Sequence, residues 1–171
     1  MGHPEIRRIE KDWILVVYDI SVEKGSMRKR VLRRLHKLGA LQFTESVYYM
    51  PYTEEGISAA QEISGGGTLF VWSSKVEEEG ARLLTDRFAM DISSAVDNLE
   101  SKVCKAEDLL ESGERIDWRL KSLRTKFRGL NRASVLIRSG AFAGRLAEVG
   151  QRLSDLRTRA RARAREMATN A

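Results

Sequence analysis

The sequence predicts an α+β protein in which a ferredoxin-like βαββαβ domain precedes a long-helix hairpin or three-helix bundle. Two observations support this class. Short apolar runs alternate with amphipathic stretches over residues 13–74, and the apolar period becomes that of long helices from residue 75 onward. We therefore divide the 171-residue chain into an N-terminal segment, 1–12, a ferredoxin-like domain, 13–74, and a helical extension, 75–171, that ends in a basic helix.

A strand and a helix open the predicted domain. Residues 13–20 form a continuous apolar run rich in β-branched and aromatic side chains, as expected of a central strand. A helix opens at Gly25 and Ser26, and Gly39 ends it, because glycine readily adopts the conformation that terminates helices. Apolar residues at helical spacing mark the buried side of this helix: Met27, Val31, Leu35 and Leu38.

Two strands, a helix and a last strand complete the predicted domain, at residues 41–44, 46–50, 53–64 and 68–72. This order gives a four-stranded antiparallel sheet with two helices on one face. Tyr48 and Tyr49 alternate faces of their strand, so one of them is expected on the open face of the sheet. Ferredoxin-like RNA binders stack bases at that place.

The helical extension is predicted from apolar residues that recur at alternating spacings of four and three. Three such series follow one another: Ile92, Val96, Leu99, Val103, Ala106 and Leu110; Ile116, Leu120, Leu123, Phe127 and Leu130; Phe142, Leu146, Val149, Leu153 and Leu156. Gly113 and Gly140 interrupt the pattern, which suits antiparallel turns. The pattern leaves open whether these apolar seams close within one chain or between the chains of a dimer.

Charge is unevenly distributed along the chain, whose net charge is +6. Residues 75–113 carry five Lys/Arg against ten Asp/Glu, and residues 114–171 carry fifteen against five. An acidic first long helix is therefore expected to attract the two basic helices that follow it. The net charge favours an acidic partner such as a nucleic acid or an anionic membrane surface.

Other classes of protein find little support in the sequence. A single cysteine, Cys104, and two histidines exclude an internal disulfide and a Cys/His zinc site, and they fit a cytoplasmic location. No apolar run approaches the roughly 20 residues of a membrane span, so no spanning segment is expected. Of the two acidic partners, we predict a nucleic acid and no membrane. No well-placed histidine accompanies a nucleophile, and no P-loop lysine follows the glycine run at 65–67. The sequence therefore favours binding over catalysis.

A pattern of short motifs occupies residues 16–51: Tyr18-Asp19-Ile20 ending a strand, Met27-Arg28-Lys29-Arg30-Val31 opening a basic helix, Leu38-Gly39-Ala40 at its end, and Ser46-Val47-Tyr48 in the strand that closes on Pro51. This pattern resembles the small CRISPR-associated Cas-two proteins and the N-terminal domain of the chromate-resistance regulator ChrB, to which a domain of the regulator PaaX is related. The resemblance covers roughly residues 13–91. It implies a ferredoxin-like fold, a homodimer, and DNA binding in transcription regulation of ChrB-like type.

The resemblance to Cas-two proteins gives Asp19 a catalytic alternative. In that family, the acidic residue that ends the first strand is implicated in binding a divalent metal at the dimer axis. A twofold axis would bring Asp19 and its mate together around one hard cation such as Mg²⁺. Otherwise Asp19 caps the loop that follows the strand, and the protein needs no cofactor.

Cations accumulate on the first helix without an intervening acid: Arg28, Lys29, Arg30, Arg33, Arg34 and Lys37. Like charges at this spacing destabilise a helix slightly, so a phosphate partner is expected, although pairing with acids elsewhere in the fold is the alternative. A second basic set lies near the C-terminus: Arg157, Arg159, Arg161, Arg163 and Arg165. Its two-residue repeat advances about 200° per step and spreads the arginines around a helix, unless the segment is a frayed tail.

Trp118 lies off its heptad series and is expected to dock against the N-terminal domain rather than to stack on a base. The predicted function is a nucleic-acid-binding or transcription-regulatory protein that contacts phosphates through the two basic sets, as a homodimer. Two alternatives remain. One is a Cas-two-like metal-dependent nuclease using Asp19, and the other is a helical adaptor that binds a protein partner through its heptad helices.

Overall fold

The computed structural model describes residues 12–18, 20, 25–64, 69–137 and 140–169. Over these residues the strands are β1 Asp12–Tyr18, β2 Leu41–Thr44, β3 Val47–Pro51 and β4 Leu69–Lys75. The helices are α1 Gly25–Lys37, α2 Glu54–Ser64, α3 Glu78–Glu111, α4 Asp117–Leu136 and α5 Ala143–Thr169, and a 3-10 turn, Gly140–Phe142, precedes α5. The predicted α+β class, with a βαββαβ unit followed by long helices, is confirmed.

The strands form one antiparallel sheet in the order β2-β3-β1-β4. The central position of β1 agrees with its continuous apolar sequence. Ile14 and Met50 face α2, where Gly56 approaches both side chains. Tyr48 faces α1, because its ring lies edge-on to His36 with 5.6 Å between the ring centroids. The two shorter helices therefore share one face of the sheet, as predicted.

The first half of α3 covers the other face of the sheet. The ring of Trp13 stacks on Tyr49, and Phe88 of α3 meets both rings edge-on at centroid distances of 5.6 and 5.1 Å. The Tyr49 hydroxyl donates a hydrogen bond of 2.9 Å to Asp91 of α3. The expectation that Tyr48 or Tyr49 is exposed is therefore wrong. Both are at most 2% exposed, because helices cover both faces of the sheet.

The helices α3, α4 and α5 form a three-helix bundle within one chain. The three predicted apolar series supply its core, with Phe127 and Phe142 partly buried at the edge. This packing answers the question that the heptad pattern left open, since the described seams are closed within the chain.

Ion pairs join α5 to α3 at regular intervals. Arg145 binds Asp97 and Glu100, Arg152 binds Glu107, and Arg159 binds Glu111, with N–O distances between 2.5 and 3.1 Å. The three arginines are seven residues apart, so they lie on one side of α5, and we call these pairs the arginine ladder. The predicted attraction between an acidic α3 and a basic α5 is thus present as specific contacts.

Two glycines bring α1 close to α4. Gly39 ends α1 at a φ of +82°, and a Cβ atom there would lie 2.8 Å from the backbone nitrogen of Ala133. A Cβ atom on Gly129 would collide with the carbonyl oxygen of His36. These positions require glycine, because a side chain would meet backbone atoms of the opposite element. The close approach places the outer face of α1 beside α4.

Candidate nucleic-acid interface

A groove of about 570 Å³ lies between α1, α4 and α5. Nine cationic side chains line it: Arg30, Arg33, Arg34 and Lys37 from α1, Lys121, Arg124 and Arg128 from α4, and Arg157 and Arg161 from α5. We call this set the basic groove. The other lining residues are one acid, Asp117, and three uncharged residues, Leu120, Thr125 and Ala160.

Helical spacing explains why each helix presents its cations to the groove. The four cations of α1 lie at positions i, i+3, i+4 and i+7, which share one side of a helix. The opposite side of α1 carries Val31 and Leu35, which are buried in the core. The three cations of α4 lie at i, i+3 and i+7, and Arg157 and Arg161 are one turn apart on α5.

The cations of the groove repel one another. The charges of Arg161 and Arg124 lower the pKa of Arg157, so the repulsion reaches across from α4 to α5. Within the described part of the chain, none of the nine cations forms an ion pair with a carboxylate. Asp117, which lines the groove, has its carboxylate 3.8 Å from the guanidinium of Arg115, a residue that does not line it. Unpaired positive charge at this density favours binding of a polyanion.

The structure brings four of the six predicted cations of α1 into the groove. The other two lie elsewhere. The Arg28 guanidinium is 5.8 Å from the centroid of the Tyr18 ring. Lys29 is exposed outside the groove, and its carbonyl oxygen accepts a hydrogen bond from Arg33.

The predicted C-terminal arginines divide into two groups. Arg157 and Arg161 line the groove, whereas Arg159 pairs with Glu111 in the arginine ladder. Arg163 donates a hydrogen bond to the carbonyl oxygen of Leu110 at the end of α3, where a cation also interacts favourably with the helix dipole. Arg165 is exposed beyond the groove lining. The prediction that these residues spread around a helix agrees with this division, and the alternative of a frayed tail does not.

The three cations of α4 were not among the residues predicted from the sequence to bind phosphates. Lys121, Arg124 and Arg128 are spaced to share one side of a helix, and this signal was present in the sequence. The spacing alone did not show that α4 packs between α1 and α5. Only the tertiary arrangement turns three separate basic helix faces into one surface.

Trp118 does not dock against the N-terminal domain, so that expectation is wrong. The side chain is 68% exposed and borders a second cavity of about 760 Å³, which lies between α1, the start of β2, α3 and α4. The contact between Gly129 of α4 and His36 of α1 lies about three turns along α4 from Trp118. Trp118 therefore borders an open cavity and does not pack against the sheet domain.

Asp19, the alternative metal ligand and catalytic residue, lies outside the described residues. Among those that are described, no three His, Cys, Asp or Glu side chains come together as a group that could hold a metal ion. None of the described helices has both the length and the apolar composition that a membrane span requires.

No protein-family model matches this chain, and no curated protein matches it significantly.

Proposed function

We propose that this protein binds a nucleic acid by holding its phosphate backbone in the basic groove. One observation carries the proposal: three helices direct nine cations to one groove in which no described carboxylate pairs with them. Phosphates are the natural occupants, because their neutralisation releases condensed counterions. Transcription regulation of ChrB-like type, in the cytoplasm, is the cellular role that we propose for this binding.

The groove leads to a quantitative expectation for binding to duplex DNA. If four to six of the nine cations reach phosphates, the logarithm of the affinity should fall with the logarithm of salt concentration at a slope of about −4 to −5. The size of the slope reports how many phosphates the protein neutralises, and variants are needed to show that the groove supplies those contacts.

The test is a salt titration of a labelled mixed-sequence duplex, followed by fluorescence anisotropy, with three proteins. The groove variant reverses one cation on each helix: Arg34→Glu, Arg124→Glu and Arg161→Glu. The control variant reverses three exposed cations outside the groove, Lys29→Glu, Arg82→Glu and Lys105→Glu, and thus changes the net charge equally.

We expect the groove variant to lose about one to three from the magnitude of the salt slope, since each reversed residue that contacts a phosphate removes about one. The control variant should keep the wild-type slope. Equal losses in the two variants would show that net charge, and not the groove, controls binding. Absence of binding by the wild-type protein at low salt would reject the proposal and would favour an acidic protein as the occupant of the groove.

The homodimer also stays a prediction, and its interface would have to be a surface other than the apolar seams. The apolar seams are closed within the chain, whereas Leu83 and Met90 are exposed one heptad apart on α3. Phe43 of β2 is also exposed, with Arg87 of α3 over its ring. If these residues form a dimer interface, Leu83→Glu with Met90→Glu should convert a dimer to a monomer in sedimentation equilibrium.

A further inference from the structure

The cavity beside Trp118 adjoins the basic groove. Arg33 of α1 and two residues of α4, Lys121 and Thr125, line both spaces, so they form a shared wall. The rest of the cavity combines an exposed tryptophan with apolar and polar side chains. We call it the Trp118 cavity. Its volume of about 760 Å³ lies within the range of sites that hold small organic ligands.

Positive charge is crowded at this cavity. Lys126 lines it and lies beside Lys102 of α3; desolvation and the contact with Lys102 lower the pKa of Lys126. His36 lines it from α1, and desolvation of the ring followed by the charge of Lys126 lowers its pKa. The cavity also contains Asp91, but this carboxylate is already bound by Tyr49 and Arg87 at 2.9 and 3.0 Å. An anion would relieve the crowding.

The indole of Trp118 offers a surface for a planar ring. The Arg119 guanidinium lies 4.7 Å from the ring centroid and covers one face. Because the side chain is 68% exposed, a large area remains open for a second planar group. Gln42 of β2 and Asn98 of α3 also line the cavity, and their amides provide both hydrogen-bond donors and acceptors.

We propose that the Trp118 cavity binds one nucleotide, with its base stacked on Trp118 and its phosphate held at the wall shared with the basic groove. The inference rests on the proposed function in one respect: the shared wall would connect this nucleotide to the nucleic-acid backbone bound in the basic groove. The nucleotide that occupies the cavity could be an unpaired nucleotide of the bound strand or a free mononucleotide.

The experiment compares three probes: a labelled duplex with one bulged nucleotide, the same duplex fully paired, and adenosine monophosphate, with inorganic phosphate as the control anion. Anisotropy measures the duplexes, and calorimetry measures the small ligands. The variants are Trp118→Ala, Trp118→Phe, which retains an aromatic ring, and Tyr52→Ala, which removes an exposed aromatic residue that lines neither space.

We expect the wild-type protein to prefer the bulged duplex about 5- to 150-fold, the value of stacking one base on an aromatic side chain. Trp118→Ala should abolish this preference and leave the salt slope unchanged. Trp118→Phe should keep most of the preference, and Tyr52→Ala should keep all of it. Because Trp118 is largely exposed, its replacement removes few packing contacts.

The outcomes separate this inference from the proposed function. Equal affinity for the two duplexes, with a steep salt slope and no effect of Trp118→Ala, would overturn the nucleotide site and leave the groove proposal standing. Binding of adenosine monophosphate that depends on Trp118, with no binding of either duplex, would support a site for free nucleotides and reject the groove proposal. Phosphate binding as tight as that of adenosine monophosphate would overturn the role of Trp118.

Discussion

Arginines on one side of α5 should stabilise the fold, and those on the other side should bind the nucleic acid. Replacing one arginine from each side tests this division directly. Arg152→Gln removes a guanidinium that makes two hydrogen bonds to Glu107, at 3.1 and 2.5 Å. Arg161→Gln removes a guanidinium that lines the basic groove and has no described carboxylate partner. The two changes are chemically identical and alter the net charge equally.

The magnitude follows from the environment of each side chain. Arg152 and Glu107 are 33% and 23% exposed, so their pair is worth more than a surface ion pair but less than a buried one. We expect Arg152→Gln to cost about 1–2 kcal/mol of unfolding free energy, which lowers the melting temperature by about 2–8 °C. Arg161→Gln removes a charge that repels Arg157, so the melting temperature should stay constant or rise.

The assay pairs thermal unfolding, followed by circular dichroism, with the salt dependence of duplex binding. Arg152→Gln should destabilise the fold and keep the salt slope, whereas Arg161→Gln should keep the stability and reduce the slope by about 1. Arg152→Lys, which keeps the charge but loses the paired hydrogen bonds, should be intermediate in stability. If both glutamine variants lose the same stability and the same slope, the division of α5 into two sides is wrong.

Three further predictions concern the scaffold. Gly129→Ala should lower the unfolding free energy by about 1–3 kcal/mol in urea titrations, because its Cβ would collide with the His36 carbonyl, whereas Gly144→Ala, whose Cβ meets nothing within 4 Å, should not destabilise. Thr53→Ala should cost about 1 kcal/mol, since the Thr53 hydroxyl accepts the Gly56 N–H at the start of α2, and Thr53→Ser should restore it. Desolvation and the charge of Lys126 hold the pKa of His36 below 6.5, although a hydrogen bond with the Ala40 backbone opposes them. The Tyr48 ring packs against the imidazole. As the pH falls, the unfolded chain therefore takes up the proton at a higher pH than the folded chain does. Stability should therefore be complete above pH 6.5 and fall as the pH decreases below it, and His36→Gln should flatten that fall in pH-dependent melting curves.

The sequence predicted the elements well because their patterns are local. The apolar run at β1, the left-handed glycine Gly39 and the three heptad series all depend on neighbours within a few residues. The cover on the second face of the sheet could not be predicted in the same way. The apolar period of α3 identifies a helix, but it does not show that Phe88 packs against Trp13, which is far from it in the sequence.

The candidate site was only partly predictable for a related reason. Arg30 and Arg34 stood out as a run of cations, and the structure does place them in the groove. A run of arginines in the sequence does not show which of them contact groups within the protein. Arg159 and Arg163 were therefore predicted to bind a nucleic acid, although the first pairs with Glu111 of α3 and the second donates a hydrogen bond to the α3 backbone. Arg124 was missed because its significance arises only where α4 crosses between α1 and α5.

The unneutralised groove makes ligand occupancy part of the folding equilibrium. The bundle core and the glycine contacts hold nine like charges together before any ligand arrives, and this repulsion opposes folding. An anion that binds only the native groove therefore stabilises the native state, by an amount that grows with the logarithm of its concentration once this exceeds the dissociation constant. The melting temperature of this protein should then depend on the anion of the buffer. It should be higher in phosphate than in chloride at equal ionic strength, and highest with a polyanion.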